Sequence, residues 1–180
     1  MAGQATGRGQ ASRGLGIISP NFFFDINIAA RIITAYIMLH TITTITDEIV
    51  GLLKDDPVRP EIPVTERINS NSRIYMLKEG NQAQAVVCVK FMDAVPAAVE
   101  DLRTQCGQAN TAVFYTIWSY AAGAGRDLII ETTRSIETEF PDIKTYVTLS
   151  PKTEMARRFH LRNGARELRE NINTINYIYK

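Results

Sequence analysis

After Arg73, apolar and polar positions fall into short blocks that switch between strand-like and helix-like spacing. Arg73–Leu77 and Gln84–Phe91 are apolar runs on either side of Glu79-Gly80-Asn81, which predicts a β-hairpin. Pro96–Gln105 predicts a short helix or turn, and Thr111–Tyr120 a buried strand. Leu128–Phe140 predicts a helix with Ile129, Ile136 and Phe140 on or near one face. Lys144–Leu149 reads as the next strand. Thr153–Leu161 reads as a helix stopped by Asn163-Gly164, and Ile172–Tyr179 as a final strand. A hairpin followed by strand, helix, strand, helix and strand predicts an α/β (α+β) domain, a mixed central sheet with flanking helices.

The first third of the chain has a different texture. In Phe22–Leu53, residues Ile28, Ile32, Ala35, Leu39, Ile42, Ile49 and Leu53 approximate helical spacing, with Asp25 as an N-cap. Ile33, Ile37 and Ile45 populate a second apolar face, so the expected helix packs on more than one side, against the core or a protein partner. Ile26–Ile45 approaches the length of a bilayer span. Arg31, His40 and the five threonines between Thr34 and Thr46 argue against a membrane segment. Asp55 to Pro63 contains three prolines and reads as a linker. The expected organisation is an N-terminal arm over 1–24, a helical extension over 25–55, a linker over 56–72 and the α/β domain over 73–180.

Composition narrows the partners. Of 180 residues, 45% are hydrophobic and 22% charged, enough to bury a core. With 20 basic and 19 acidic residues, the near balance gives no reason to expect nucleic acid or an anionic membrane. Cys88 and Cys106 match no metal or redox spacing. Cys88, inside the apolar run Ala85–Val89, reads as a small buried hydrophobe. Arg8 and Arg13 among Gly, Ser and Thr, with no acid before Asp25, loosely resemble an organellar presequence of a mitochondrion or plastid. A Gly-rich arm of this kind needs a partner to hold it in place.

One stretch suggests a ligand. Ala121-Ala122-Gly123-Ala124-Gly125-Arg126 joins a strand to a helix. Its small residues allow close approach to the backbone, and the helix start offers N–H groups to a phosphate. Arg126 adds a charge-assisted contact. A tight connection with no ligand explains the same residues.

Three blocks carry a resemblance. Thr111-Ala112-Val113-Phe114-Tyr115-Thr116-Ile117, the run from Glu139 to Pro151, and Arg158-Phe159-His160-Leu161-Arg162-Asn163-Gly164-Ala165 resemble malonyl-CoA decarboxylases. The ending Asn176-Tyr177-Ile178-Tyr179 is similar to that family's C-terminal motif. The similarity covers roughly the last 105 residues. It implies a GCN5-related N-acetyltransferase-like fold, with the coenzyme A pyrophosphate on Gly123, Ala124, Gly125 and Arg126. It also puts Ser150 and His160 at the positions of the family's catalytic serine and histidine, with an acyl-CoA thioester as substrate and no metal.

The implied activity is that of a carboxy-lyase. Loss of carbon dioxide from a malonyl thioester leaves an enolate whose oxygen needs hydrogen-bond donors. An imidazole near its ordinary pKa then protonates the carbon. The chain departs from the family where Pro151-Lys152-Thr153-Glu154-Met155 leads almost directly into the helix that carries the histidine, where the family has a long insertion. Bland readings stay open: Ser150 as a helix N-cap before Pro151, His160 as a hydrogen-bonded helix residue, and Arg157, Arg158 and Arg162 as a solvated helix end. Trp118, Tyr115 and Tyr146 read as core aromatics. Two other functions remain, an inactive fold reused as an accessory subunit of an organellar or viral assembly, and an N-acyltransferase with Glu131 or Glu139 as base.

Overall fold

The computed structural model describes residues 36–180. The expected arm over 1–24, the Asp25 cap and the start of the isoleucine-rich helix lie outside the described residues. The elements in chain order are β1 (Ile37–Ile42), α1 (Asp47–Leu53), α2 (Val64–Arg67), β2 (Ser72–Glu79) and β3 (Gln82–Met92). A 3-10 turn (Glu100–Arg103), β4 (Thr111–Ser119), α3 (Ala124–Glu139) and β5 (Thr145–Thr148) follow. The chain ends with β6 (Ser150–Pro151), α4 (Glu154–Arg162), β7 (Arg166–Glu170) and β8 (Thr174–Tyr179). The sheet runs β1-β2-β3-β4-β5-β8-β6, with β7 also on β8. Among the described strands only β4 and β5 pair in parallel, joined by the α3 crossover.

The hairpin forms where its turn sequence demands. Gly80 takes φ 59°, open to it because it has no Cβ, and β2 pairs with β3 from Ser72↔Lys90 to Glu79↔Gln82. α3 buries Leu128, Ile129, Thr132 and Ile136 at helical spacing, against Tyr75, Leu77 and Phe114 of the sheet. The opposite face of the sheet packs Ile74, Val86, Cys88, Val113 and Leu149 against Ile49, Leu53 and Ile62. Cys88 is buried, as its apolar run suggests, and both cysteines are free thiols.

Two expectations are corrected, and one strand was not anticipated. The helix expected over 25–55 is, within its described part, the strand β1 followed by the short helix α1. β1 adds to the sheet through pairs from Ile37↔Glu79 to Ile42↔Ile74, so β-branched Ile and Thr satisfy a free sheet edge instead of a helix. The residues expected as a linker over 56–72 are anchored to the core by Asp56, Arg59 and Arg67, all buried. β7, Arg166-Glu167-Leu168-Arg169-Glu170, is exposed along its whole length and lacks the apolar signal that marks the other strands. Its place is set by pairing with β8.

Candidate functional site

The sheet opens between its two parallel strands. β4 and β5 pair from Thr111↔Thr145 to Phe114↔Thr148, and Leu149 N donates to the Phe114 carbonyl at 3.1 Å. Beyond that point β4 continues to Ser119, while the other chain turns away to pair Ser150 with Ile175 of β8. The edge of β4 from Tyr115 to Ser119 is left without a strand partner on this side among the described residues. A bulge in β4 sets Cys88 opposite Thr116 and Val89 opposite Phe114, with Tyr115 as the extra residue. The resulting gap is a cleft of about 350 Å³, lined in part by Phe114, Trp118, Ser150, Phe159 and His160.

Ser150 and His160 meet in this cleft. Ser150 Oγ lies 2.7 Å from His160 Nε2, and His160 Nδ1 lies 2.7 Å from Tyr179 Oη. Ser150 also donates to Thr148 Oγ1 at 3.0 Å, which in turn accepts the Tyr177 backbone N–H at 3.0 Å. Asn176 Nδ2 donates to the Thr148 carbonyl at 2.7 Å and holds that strand end in place. The Tyr177 ring stacks on the imidazole at a centroid distance of 4.8 Å. Because both partners of the imidazole are hydroxyls, either tautomer satisfies both ends. That is the requirement for a relay that passes a proton in either direction.

The charge state differs from the expected one. Burial pushes the His160 pKa down to about 4, so the ring is neutral at pH 7 rather than poised near its ordinary value. Its partner Tyr179 is likewise held neutral by burial, with its pKa raised. Among the described residues burial alone shifts this group and no charged neighbour offsets it, so an imidazolium has no counter-charge. The arrangement favours neutral proton relay over the nucleophilic serine of a hydrolase triad, which needs that imidazolium.

The bland reading of Ser150 fails, and that of His160, a hydrogen-bonded helix residue, describes the structure but does not explain its partners. The N-cap of α4 is Thr153, whose hydroxyl accepts from Ala156 N at 3.2 Å, while Ser150 sits in β6 and is buried. His160 is 4% exposed and makes its two ring contacts across the fold, not within its own helix.

A second, wider cleft of about 740 Å³ adjoins the first and shares Ser119, Gly125, Met155 and Phe159 with it. Its wall is the loop that sequence reading singled out. Gly123 sits at the start of α3 with φ 83°, and no side chain caps the helix. The N–H groups of Ala122, Gly123 and Gly125 have no acceptor among the described residues. Gly125 permits close packing of the two helices, since a Cβ there would lie 3.2 Å from Phe159 Cε2. Arg126, Arg158 and Arg162 line this cleft, with Arg158 paired to Glu154 at 2.7 Å; Arg157 also reaches Glu154, at 3.9 Å. Tyr115 and Trp118 are buried in the core, as expected, and also line the inner cleft.

The segment read as a linker forms part of the cleft wall. Pro57 and Val58 line the inner cleft, held there by Asp56. Asp56 Oδ1 accepts from Val58 N at 2.8 Å, Arg59 N at 3.0 Å and Thr116 Oγ1 at 2.7 Å, and Oδ2 pairs with Arg67 Nη1 at 2.7 Å. Arg67 also donates to the carbonyls of Ile62 and Arg59 and to Cys88 Sγ. Burial raises the Asp56 pKa, but the hydrogen bonds from Thr116, Val58, Arg59 and Arg67 outweigh it and hold the group below the ordinary carboxylate value. Sequence reading missed Asp56, Arg59, Arg67 and Tyr179. Only the two tyrosines at i and i+2 in the last strand marked a common face.

The chain matches no protein family and no curated protein at a significant level. Its fold is that of solved structures. Malonyl-CoA decarboxylase from Agrobacterium vitis superposes with a TM-score of 0.70 at 18% identity, covering 87% of this chain and 64% of that one. The enzyme of the same name from Rhodopseudomonas palustris gives 0.64 at 20%, over 87% of this chain and 60% of that one. A GNAT family acetyltransferase from Elizabethkingia anophelis, solved with acetyl-CoA bound, gives 0.51 at 15%, over 79% and 94%. The chain therefore spans less than two thirds of either decarboxylase. The expected α/β fold, GNAT-like with a mixed central sheet, is the observed one.

Proposed function

We propose that this protein binds an acyl-CoA thioester and decarboxylates a malonyl thioester at Ser150 and His160. The observation that carries the reading is the Ser150–His160–Tyr179 chain, with two 2.7 Å contacts, at the base of a cleft between splayed parallel strands. The coenzyme pyrophosphate would lie on the free N–H groups of Ala122, Gly123 and Gly125 at the start of α3. Arg126 would lie beside it, with Arg158 and Arg162 at the nucleotide end. The pantetheine arm would follow the unpaired edge of β4 and bring the thioester to Ser150.

In the reaction the bond between the carboxylate carbon and C2 breaks, and carbon dioxide leaves. The electron pair enters the thioester as an enolate. C2 takes a proton from the Ser150 hydroxyl, His160 Nε2–H passes its proton to Ser150, and Tyr179 Oη–H protonates Nδ1, so the ring stays neutral. Solvent returns the one proton consumed. The apolar lining of Phe114, Trp118, Met155 and Phe159 disfavours the solvated carboxylate and so helps its loss. Release of carbon dioxide from malonyl-CoA, abolished in His160→Asn with the fold retained, tests the reading. An inactive wild-type protein that still binds coenzyme A would overturn it.

The acyltransferase reading has less support. Glu131 pairs with Arg134 on the outside of α3, Glu139 is exposed, and neither lines the cleft. Asp56, next to the cleft wall, is held in its ion pair and is not free to act as a base.

A further inference from the structure

One hydroxyl proton of the neutral chain is left without an acceptor. Thr148 Oγ1 takes two hydrogen bonds, from the Tyr177 backbone N–H at 3.0 Å and from Ser150 Oγ at 3.0 Å. Thr148 is fully buried and lines neither cleft. Its own proton therefore has no acceptor among the described residues, a costly state for a buried hydroxyl. The position of that hydroxyl is fixed by its strand. Thr148 pairs with Phe114 of β4, and its carbonyl accepts from Asn176 Nδ2 at 2.7 Å.

The two bonds to Thr148 differ in what they can do. The Tyr177 contact cannot turn round, because a main-chain N–H only donates. The Ser150 contact can, because both partners are hydroxyls. Transfer of the Ser150 proton to C2 frees one lone pair of Thr148 and puts negative charge on Ser150 Oγ. The Thr148 proton then finds its acceptor in that oxygen. With Thr148 donating on one side and His160 Nε2–H, at 2.7 Å, on the other, both lone pairs of Ser150 Oγ are filled. The Ser150 proton is left with a single direction, into the cleft that Ser150 lines.

We infer that Thr148 is a positioning residue for the proton relay: it donates to Ser150 Oγ as the charge develops there and turns the Ser150 proton toward the substrate. The inference rests on the decarboxylase reading of the cleft and adds to it the group that sets the direction of proton delivery. It is a donor held in place before the reaction starts, which lowers a barrier more than one that must be brought in from solvent.

The test is the rate of carbon dioxide release from malonyl-CoA, referred to sites counted by titration with acetyl-CoA. Thr148→Val keeps the shape of the side chain and removes the hydroxyl. It should lower kcat by about 10–100-fold, the worth of a hydrogen bond to a charged oxygen, with KM and acetyl-CoA affinity within about twofold. Thr148→Ser restores the hydroxyl and should return kcat to within about threefold of wild type. Counting sites by acetyl-CoA titration keeps loss of folded protein out of the comparison. A Thr148→Val protein with the kcat of wild type, a loss confined to KM, or equal loss of kcat in Thr148→Val and Thr148→Ser would each overturn the inference while the decarboxylase reading stands. A wild-type protein that binds acetyl-CoA and releases no carbon dioxide removes the reading and this inference with it.

Discussion

Two buried polar networks flank the strand splay, and they are built on opposite principles. On the α4 side, Ser150, His160, Tyr179 and Thr148 form a chain of neutral donors and acceptors. On the other side, Asp56, Arg67 and Arg59 form an ionic cluster linked to Thr116 and Leu149. The neutral chain can reverse its polarity at little cost and so can move a proton. The ionic cluster cannot change its protonation without stranding a charge, so it holds the wall formed by Pro57 and Val58 still. Under the proposed function, chemistry and scaffolding are divided between two sides of one cleft.

The comparison breaks most visibly at the ionic side. Arg67→Met leaves the Asp56 carboxylate buried without its partner and should cost about 3–5 kcal/mol in urea denaturation. The exposed Arg158, paired with Glu154, should move stability by no more than about 0.5 kcal/mol when changed to Gln. At the neutral side, His160→Asn should lower carbon dioxide release by about 10²–10⁴-fold. Tyr179→Phe, which keeps the ring and removes one end of the relay, should have a smaller effect on the same assay.

A third outcome separates the networks by pH. The unfolded chain protonates His160 near its ordinary value, while the folded protein resists until about pH 4. Stability is therefore full above the ordinary value, falls as pH drops through this window and levels off below it. The loss amounts to about 3 kcal/mol and should be absent from denaturation curves of His160→Gln. Activity should stay level down to about pH 5 instead of falling near the ordinary imidazole value. The Asp56 side behaves differently, because its depressed pKa keeps its contribution until the pH passes below the ordinary carboxylate value. A modest effect is expected at the loop. Gly125→Ala sets a Cβ 3.2 Å from Phe159 and should cost about 1 kcal/mol, with weaker coenzyme A binding in a titration.

How much of this was legible in the sequence depends on where each residue finds its partner. The hairpin, β4, α3, β5, α4 and β8 were readable because each carries its own period and its own stop signal, such as Gly80 or Asn163-Gly164. Ser150, His160 and the Gly123–Arg126 loop were readable from a resemblance to a known family. β1 was misread because a run such as Ile37-Met38-Leu39-His40-Thr41-Ile42 suits helix and strand spacing alike, and only pairing with β2 decides between them. The 56–72 segment was misread because proline spacing marks loops, and nothing local shows that a loop is buried. Asp56 and Arg67 are eleven residues apart, but Thr116 is a further 49 beyond Arg67, a contact no short-range pattern encodes.

By itself, then, the sequence determined the alternation of elements, the glycine-permitted turn at Gly80 and loop at Gly123, and which residue types were present for chemistry. These depend on local backbone preferences and on spacing along one chain. Tertiary structure alone decided that His160 is neutral, that Tyr179 hydrogen-bonds its Nδ1, and that Arg59 is buried beside Asp56. Protonation, burial and charge balance depend on what surrounds a group in space, and the neighbours responsible here come from strands and loops far apart in the chain.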